Sequence, residues 1–83
     1  PFKKLAYFRE GKEVLEDYII KHPTNIEARY VRLLVQHNLP KILGYNSSIV
    51  ADKKFINENL TLVNLPENYK KTILNNINNI SPN

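Results

Sequence analysis

The residues of this chain with chemistry to offer are two histidines, two adjacent serines, an acidic cluster and two nearby arginines. His22 and His37 are the only histidines. No cysteine accompanies them and no acidic pair stands near either at metal-ligand spacing, so a zinc-type site lacks its ligands. His22 falls near the end of a first helix, where a cation suits the helix dipole. His37 reads as a partly buried edge residue. Nothing around Ser47 and Ser48 resembles a nucleophile elbow, and capping of a helix accounts for them. Glu13, Glu16 and Asp17 follow helical spacing beside Lys12 and Lys21, the pattern of a solvated face. Gly11 and Gly44 stand alone and make no phosphate loop. No catalytic residue, cofactor or metal is expected.

Arg29 and Arg32 lie one turn apart on a second helix. They could meet phosphates, acidic residues of a partner, or Glu10 and Glu13 of the first helix. Lys41, Ile42 and Tyr45 fall in an irregular stretch whose apolar residues either close the end of the helical core or form part of an interface. These five residues, Arg29, Arg32, Lys41, Ile42 and Tyr45, are the candidate partner-binding set.

The elements that carry them are helical. Leu5, Phe8, Leu15, Tyr18 and Ile19 recur at helical spacing and predict a helix over 3–21. Gly11 interrupts the stripe, and a helix-interior glycine there predicts close approach of a neighbour. Pro23 ends the segment. Thr24 and Glu27 have the spacing of a capping box for a second helix over 25–38. That helix is apolar on two sides: Ile26, Tyr30, Leu33, Leu34 and His37 on one, Ala28, Val31 and Val35 on the other. Such a helix is central, packed between neighbours. The stretch 39–47, rich in turn residues, reads as a loop. A third helix is predicted over 48–59, a linker over 61–65, and a fourth helix over 66–79 with Pro66 in its first turn. Ser81, Pro82 and Asn83 read as a frayed tail. Sustained alternation and hairpin turns are missing, so strands are not expected.

The chain is one domain at most: 83 residues with no cysteine to staple it. No apolar run approaches the ~20 residues of a membrane span. Net charge is +4, with twelve Lys and Arg against eight acids. The doublets Lys3-Lys4, Lys53-Lys54 and Lys70-Lys71 lie far apart, whereas a nucleic-acid footprint concentrates its charge. A helix-turn-helix needs a turn of about 3–4 residues, and the 39–47 loop is longer.

The block Pro23-Thr24-Asn25-Ile26-Glu27-Ala28-Arg29-Tyr30 resembles the junction of the tetratricopeptide repeat, a helix pair of about 34 residues. Gly11 and Leu15 stand where that repeat has a small and a large apolar residue. Tyr18, Arg29 and Leu33 depart from its pattern, and residues 41–83 do not continue it. The resemblance implies that the first predicted helix is the second of a repeat, and that residues 1–83 are the C-terminal part of a longer precursor. Pro1-Phe2-Lys3-Lys4-Leu5, Leu39-Pro40, Leu43-Gly44-Tyr45 and Asp52-Lys53-Lys54-Phe55-Ile56 further resemble small exported bacterial proteins of helical-repeat type. Among these is the plug subunit that closes the type 9 secretion translocon from the periplasmic side.

The expectation is an all-α fold of four helices: a tetratricopeptide-like hairpin with two further helices packed on it. The expected function is a non-enzymatic protein-interaction module. By resemblance it is periplasmic and an accessory of an envelope assembly such as an outer-membrane translocon. The alternative is a small basic nucleic-acid-binding domain.

Overall fold

A computed structural model describes residues 2–80; Pro1 and the predicted tail 81–83 lie outside the described residues. The described chain is all-helical. In order come α1 (Phe2–Lys21), α2 (Ile26–Asn38), a 3-10 turn (Lys41–Leu43), α3 (Ile49–Asn59), a second 3-10 turn (Leu60–Leu62) and α4 (Glu67–Asn78). The four predicted helices are present with limits shifted by about one residue.

Local chemistry sets those limits. Asn25 caps α2, its side-chain oxygen accepting from the Ala28 N–H at 2.8 Å. The capping box predicted from Thr24 is not formed, because the cap lies one residue later. Glu27 accepts instead from the Tyr69 hydroxyl at 3.1 Å, tying α2 to α4. At the far end the Asn38 amide donates back to the Leu34 carbonyl at 2.8 Å, and Pro40 prevents continuation. Ser48 stands at the start of α3, but its side chain makes no capping bond. A residue of α2 intervenes: the Gln36 side-chain oxygen accepts from the Ser48 N–H at 2.9 Å. Pro66 precedes α4 by one residue, its carbonyl accepting from the Lys70 N–H at 3.0 Å.

The core lies between α2, α3 and α4. Ile26, Tyr30 and Leu33 of α2 meet Ile49 and Ile56 of α3, Ile73 and Ile77 of α4, Leu60 of the second 3-10 turn, and Ile80. The Tyr30 hydroxyl enters this core satisfied, accepting from the Asn76 amide at 2.6 Å. α2 is central as expected, with α1 on one side and α3 on the other. The α1–α2 hairpin is antiparallel: Tyr18 meets Asn25 near the turn, and Glu16 meets Arg32 further along. α1 is peripheral, with Ile19 its one buried residue. His37, expected at a partly buried edge, is exposed, because the core-facing arc of α2 passes through Leu33 and Gln36 instead.

The two glycines differ in kind. Gly44 ends the first 3-10 turn at φ 67°, a left-handed conformation that costs an L side chain about 1–2 kcal/mol. Gly11, predicted to mark a close neighbour, has no atom within 4 Å of where a Cβ would stand. Gly44→Ala is therefore expected to lower stability by about 1–2 kcal/mol. Gly11→Ala is expected to raise it by about 1 kcal/mol through helix propensity. Urea melts of both variants at low protein concentration would show the opposite signs.

Candidate functional site

Four charged side chains from three helices meet at one point. Asp52 of α3 is 0 % exposed. The Arg32 guanidinium of α2 grips it through two bonds, Nε to Oδ2 and Nη2 to Oδ1, each 2.7 Å. Arg32 Nη1 reaches the other way, to both carboxylate oxygens of Glu16 on α1 at 3.1 and 3.2 Å. Arg29, one turn earlier, adds a bond from Nη1 to Asp52 Oδ1 at 3.2 Å. It is held by two bonds to the Pro23 carbonyl, at 2.9 and 2.7 Å, and by the Phe55 ring 4.3 Å beneath it. The Tyr45 hydroxyl donates to Glu16. Both Asp52 oxygens are engaged by guanidinium groups, so the cluster clasps α1, α2 and α3 rather than offering a free base. The two carboxylates raise the Arg32 pKa above its ordinary value, the hydrogen bonds to Asp52 contributing most.

The candidate residues thus part company. Arg32 and Tyr45 are interior and linked through Glu16. Arg29 is partly buried and turned inward. The arginines meet Glu16 and Asp52, not Glu10 and Glu13. Lys41 is exposed and Ile42 is 92 % exposed, at the tip of the first 3-10 turn. Tyr45 closes the end of the α1–α2 hairpin: the Phe8 ring meets it edge-on at 6.1 Å, and Lys12 Nζ lies 5.0 Å from its centroid.

Burial first, and then the bond to Glu16, push the Tyr45 phenol above its ordinary value. A raised folded value means that this contribution is present in full below the unfolded value, about 10. It is lost as pH rises through the folded value. The urea midpoint should therefore fall from about pH 10 upward, and Tyr45→Phe should flatten that fall. Tyr69, raised by burial and by Glu27, contributes in the same direction. An equally steep fall in Tyr45→Phe would contradict this account.

Above the clasp, α1 and α2 leave a groove of 320 Å³ lined by Tyr7, Phe8, Gly11, Lys12, Leu15, Val31, Val35 and Tyr45. It continues past Leu15 and Val31 toward Tyr18 and Ala28. Tyr7, which lines it, is 68 % exposed, and Val14 on the outer side of α1 is 71 % exposed. Two features here were not anticipated from the residues. Asp52 sits between Ile49 and Ile56 on the buried stripe of α3, and a carboxylate at a core position signals a partner cation. Tyr7, Gly11, Val14 and Tyr18 form a second stripe on α1 at 4-3-4 spacing, the pattern of a helix with two apolar seams.

Among the described residues, no group of three or more His, Asp or Glu side chains is arranged to hold a metal. No described helix is long and apolar enough to cross a membrane. Comparison with protein-family models, with curated proteins and with solved structures returned no match.

Proposed function

We propose that this chain is a non-enzymatic protein-interaction module, an accessory subunit of a bacterial envelope assembly that docks through the exposed face of α1. One observation carries the reading. α1 is 20 residues long and buries only Ile19, while Phe2, Tyr7, Val14, Tyr18 and Ile20 stand exposed along it. By their spacing Tyr7, Val14 and Tyr18 share one face of the helix, and exposed apolar side chains grouped on one face mark an interaction site. Ile42 and Lys41 add an apolar tip beside a cation. The resemblance to exported helical-repeat proteins points to the periplasmic side of an outer-membrane translocon as the setting.

The nucleic-acid alternative loses its best candidates. Arg32 and Arg29 are neutralised by Asp52 and Glu16. The lysine doublets lie on α1, α3 and α4, so they do not join into one stripe along a single element.

The test is capture of partners by the tagged chain from native envelope extract at moderate salt, read by mass spectrometry. One stoichiometric large envelope protein is expected, lost in the double variant Val14→Asp with Ile42→Asp. Recovery of nucleic acid and ribosomal proteins alone, released by added salt through counterion effects, would overturn the reading.

A further inference from the structure

The charges of this domain are unevenly placed. Because α1 and α2 are antiparallel, the start of α1 lies at the same end as the close of α2. The 41–43 turn and the start of α3 lie there too, since Tyr45 meets Phe8 and the Ser48 N–H meets Gln36. Residues 2–9 and 33–51 contain no Asp or Glu. Asp52, next in the chain, is buried and already bonded to Arg32 and Arg29. α4 finishes near Lys53, whose Nζ donates to the Ile80 carbonyl at 2.8 Å, and it carries no acid after Glu67. The first acid along α1 is Glu10, about 9 Å of helix beyond Lys4. Arg9 stands one turn from Glu13, which offsets it. Lys3, Lys4 and Lys41 remain. They are exposed and, among the described residues, make no ion pair.

The same end carries the two most exposed large apolar side chains among the described residues, Ile42 at 92 % and Phe2 at 86 %; Val50 and Tyr7 are exposed there as well. Ile42 is not on a loose loop. Its 3-10 turn lies between Pro40 and Gly44 and closes through the Leu43 N–H to the Pro40 carbonyl at 3.1 Å and the Gly44 N–H to the Lys41 carbonyl at 2.9 Å. The turn holds an apolar side chain outward beside a lysine. Exposure alone does not select a partner, because Ile20 and Leu62 are exposed at the opposite end. The elements of that end also carry Asp17, Glu27, Glu58 and Glu67, so charge sets the two ends apart. A nucleic acid would use the lysines and gain nothing from Ile42 or Phe2. A folded acidic protein packs against a contiguous patch, whereas Ile42 and Phe2 project from separate elements. A lipid interface moulds around projecting apolar points and lets lysines beside them keep their charge at headgroup level. We propose that this end of the molecule rests on an anionic lipid surface, with Ile42 and Phe2 in the interface and Lys3, Lys4 and Lys41 against the lipid phosphates. The inference goes beyond the docking of α1 and stands without it.

Co-sedimentation of the full chain with vesicles tests it. Binding is expected to vesicles of phosphatidylcholine mixed with phosphatidylglycerol, not to phosphatidylcholine alone, and should weaken with added salt. Lys41→Gln should weaken it about fivefold, the worth of one lysine near an anionic surface. Ile42→Ser, at an exposed site where the circular dichroism should not change, should weaken it at least about tenfold. The chain has no tryptophan, so Ile42→Trp and Leu62→Trp each report on one end. On the anionic vesicles the emission of Ile42→Trp should shift to the blue and that of Leu62→Trp should stay in place. Absence of binding, equal binding to both kinds of vesicle, or an equal shift at the two tryptophans overturns the inference. Binding that follows Lys41 but ignores Ile42→Ser, and that duplex DNA reproduces, is phosphate attraction alone and also overturns it. Capture of an envelope protein from extract is a separate result: failure on vesicles leaves it untouched, and its own failure leaves vesicle binding in place.

Discussion

Asp52→Ala is expected to lower the stability of this domain by about 3–5 kcal/mol. The reason is not that the ion pair is worth that much. Burying two charges costs nearly what their attraction returns, so an intact buried pair is close to neutral against an apolar substitute. Removing one member is different, because Arg32 remains buried with its charge uncompensated on the α3 side. Arg29 is less affected: the Pro23 carbonyl and the Phe55 ring continue to hold it. Glu16 is reachable by water, its side chain being 35 % exposed, and cannot by itself neutralise the Nε edge of Arg32. A domain of this size has only about 5–15 kcal/mol in total, so Asp52→Ala should melt far below the parent. The double variant Arg32→Met with Asp52→Leu removes both charges and should be more stable than Asp52→Ala alone. Urea denaturation of the four proteins of the cycle reads this directly. A cost under about 1 kcal/mol for Asp52→Ala, the range of an exposed pair, would show that the clasp is open to water.

The helix limits were legible because they depend on local chemistry. Pro23, Pro40 and Pro66 stop or start helices through their own geometry, and Asn25 caps through its own side chain. The apolar core was legible where it followed helical spacing, as at Ile26, Tyr30 and Leu33, or Ile73 and Ile77. What escaped was whatever depended on a residue distant in the chain. Arg29 and Arg32 read as able to meet phosphates, a partner's acids, or Glu10 and Glu13, since nothing near them in sequence indicates that α3 will bring Asp52 to meet them. Gln36 taking the Ser48 N–H is another such case: the serine looked sufficient to cap its own helix. The candidate set mixed two populations for the same reason. Arg32 and Tyr45 are consumed by contacts to Glu16 that span many residues, whereas Lys41 and Ile42 remain at the surface. Spacing also misplaced the meaning of Gly11. A glycine on an apolar face suggests a neighbour, and within the monomer no neighbour is there.

The uneven distribution of the core carries the second large effect. Ile77→Ala is expected to cost about 2–5 kcal/mol, because Ile77 is wholly buried among Leu33, Ile56 and Leu60 and a cavity there has nothing mobile to fill it. Leu15→Ala on α1 should cost well under half as much. Leu15 lines an open groove, where truncation enlarges a cleft that water already reaches. The same contrast predicts the order of opening. α1 is held by Ile19, the Glu16 clasp and the Tyr45 edge, whereas α2, α3 and α4 share one continuous core. Amide exchange should therefore be fastest along α1 and slowest at Leu33, Ile56 and Ile77, since local opening follows local burial. Equal protection of α1 and α4 in a dilute monomer would mean that α1 is bound to the core more firmly than its burial implies. In the expected case the helix least needed for folding is the one left free to bind. Substitutions on its outer seam should then alter association while leaving the melting of the α2–α3–α4 core in place.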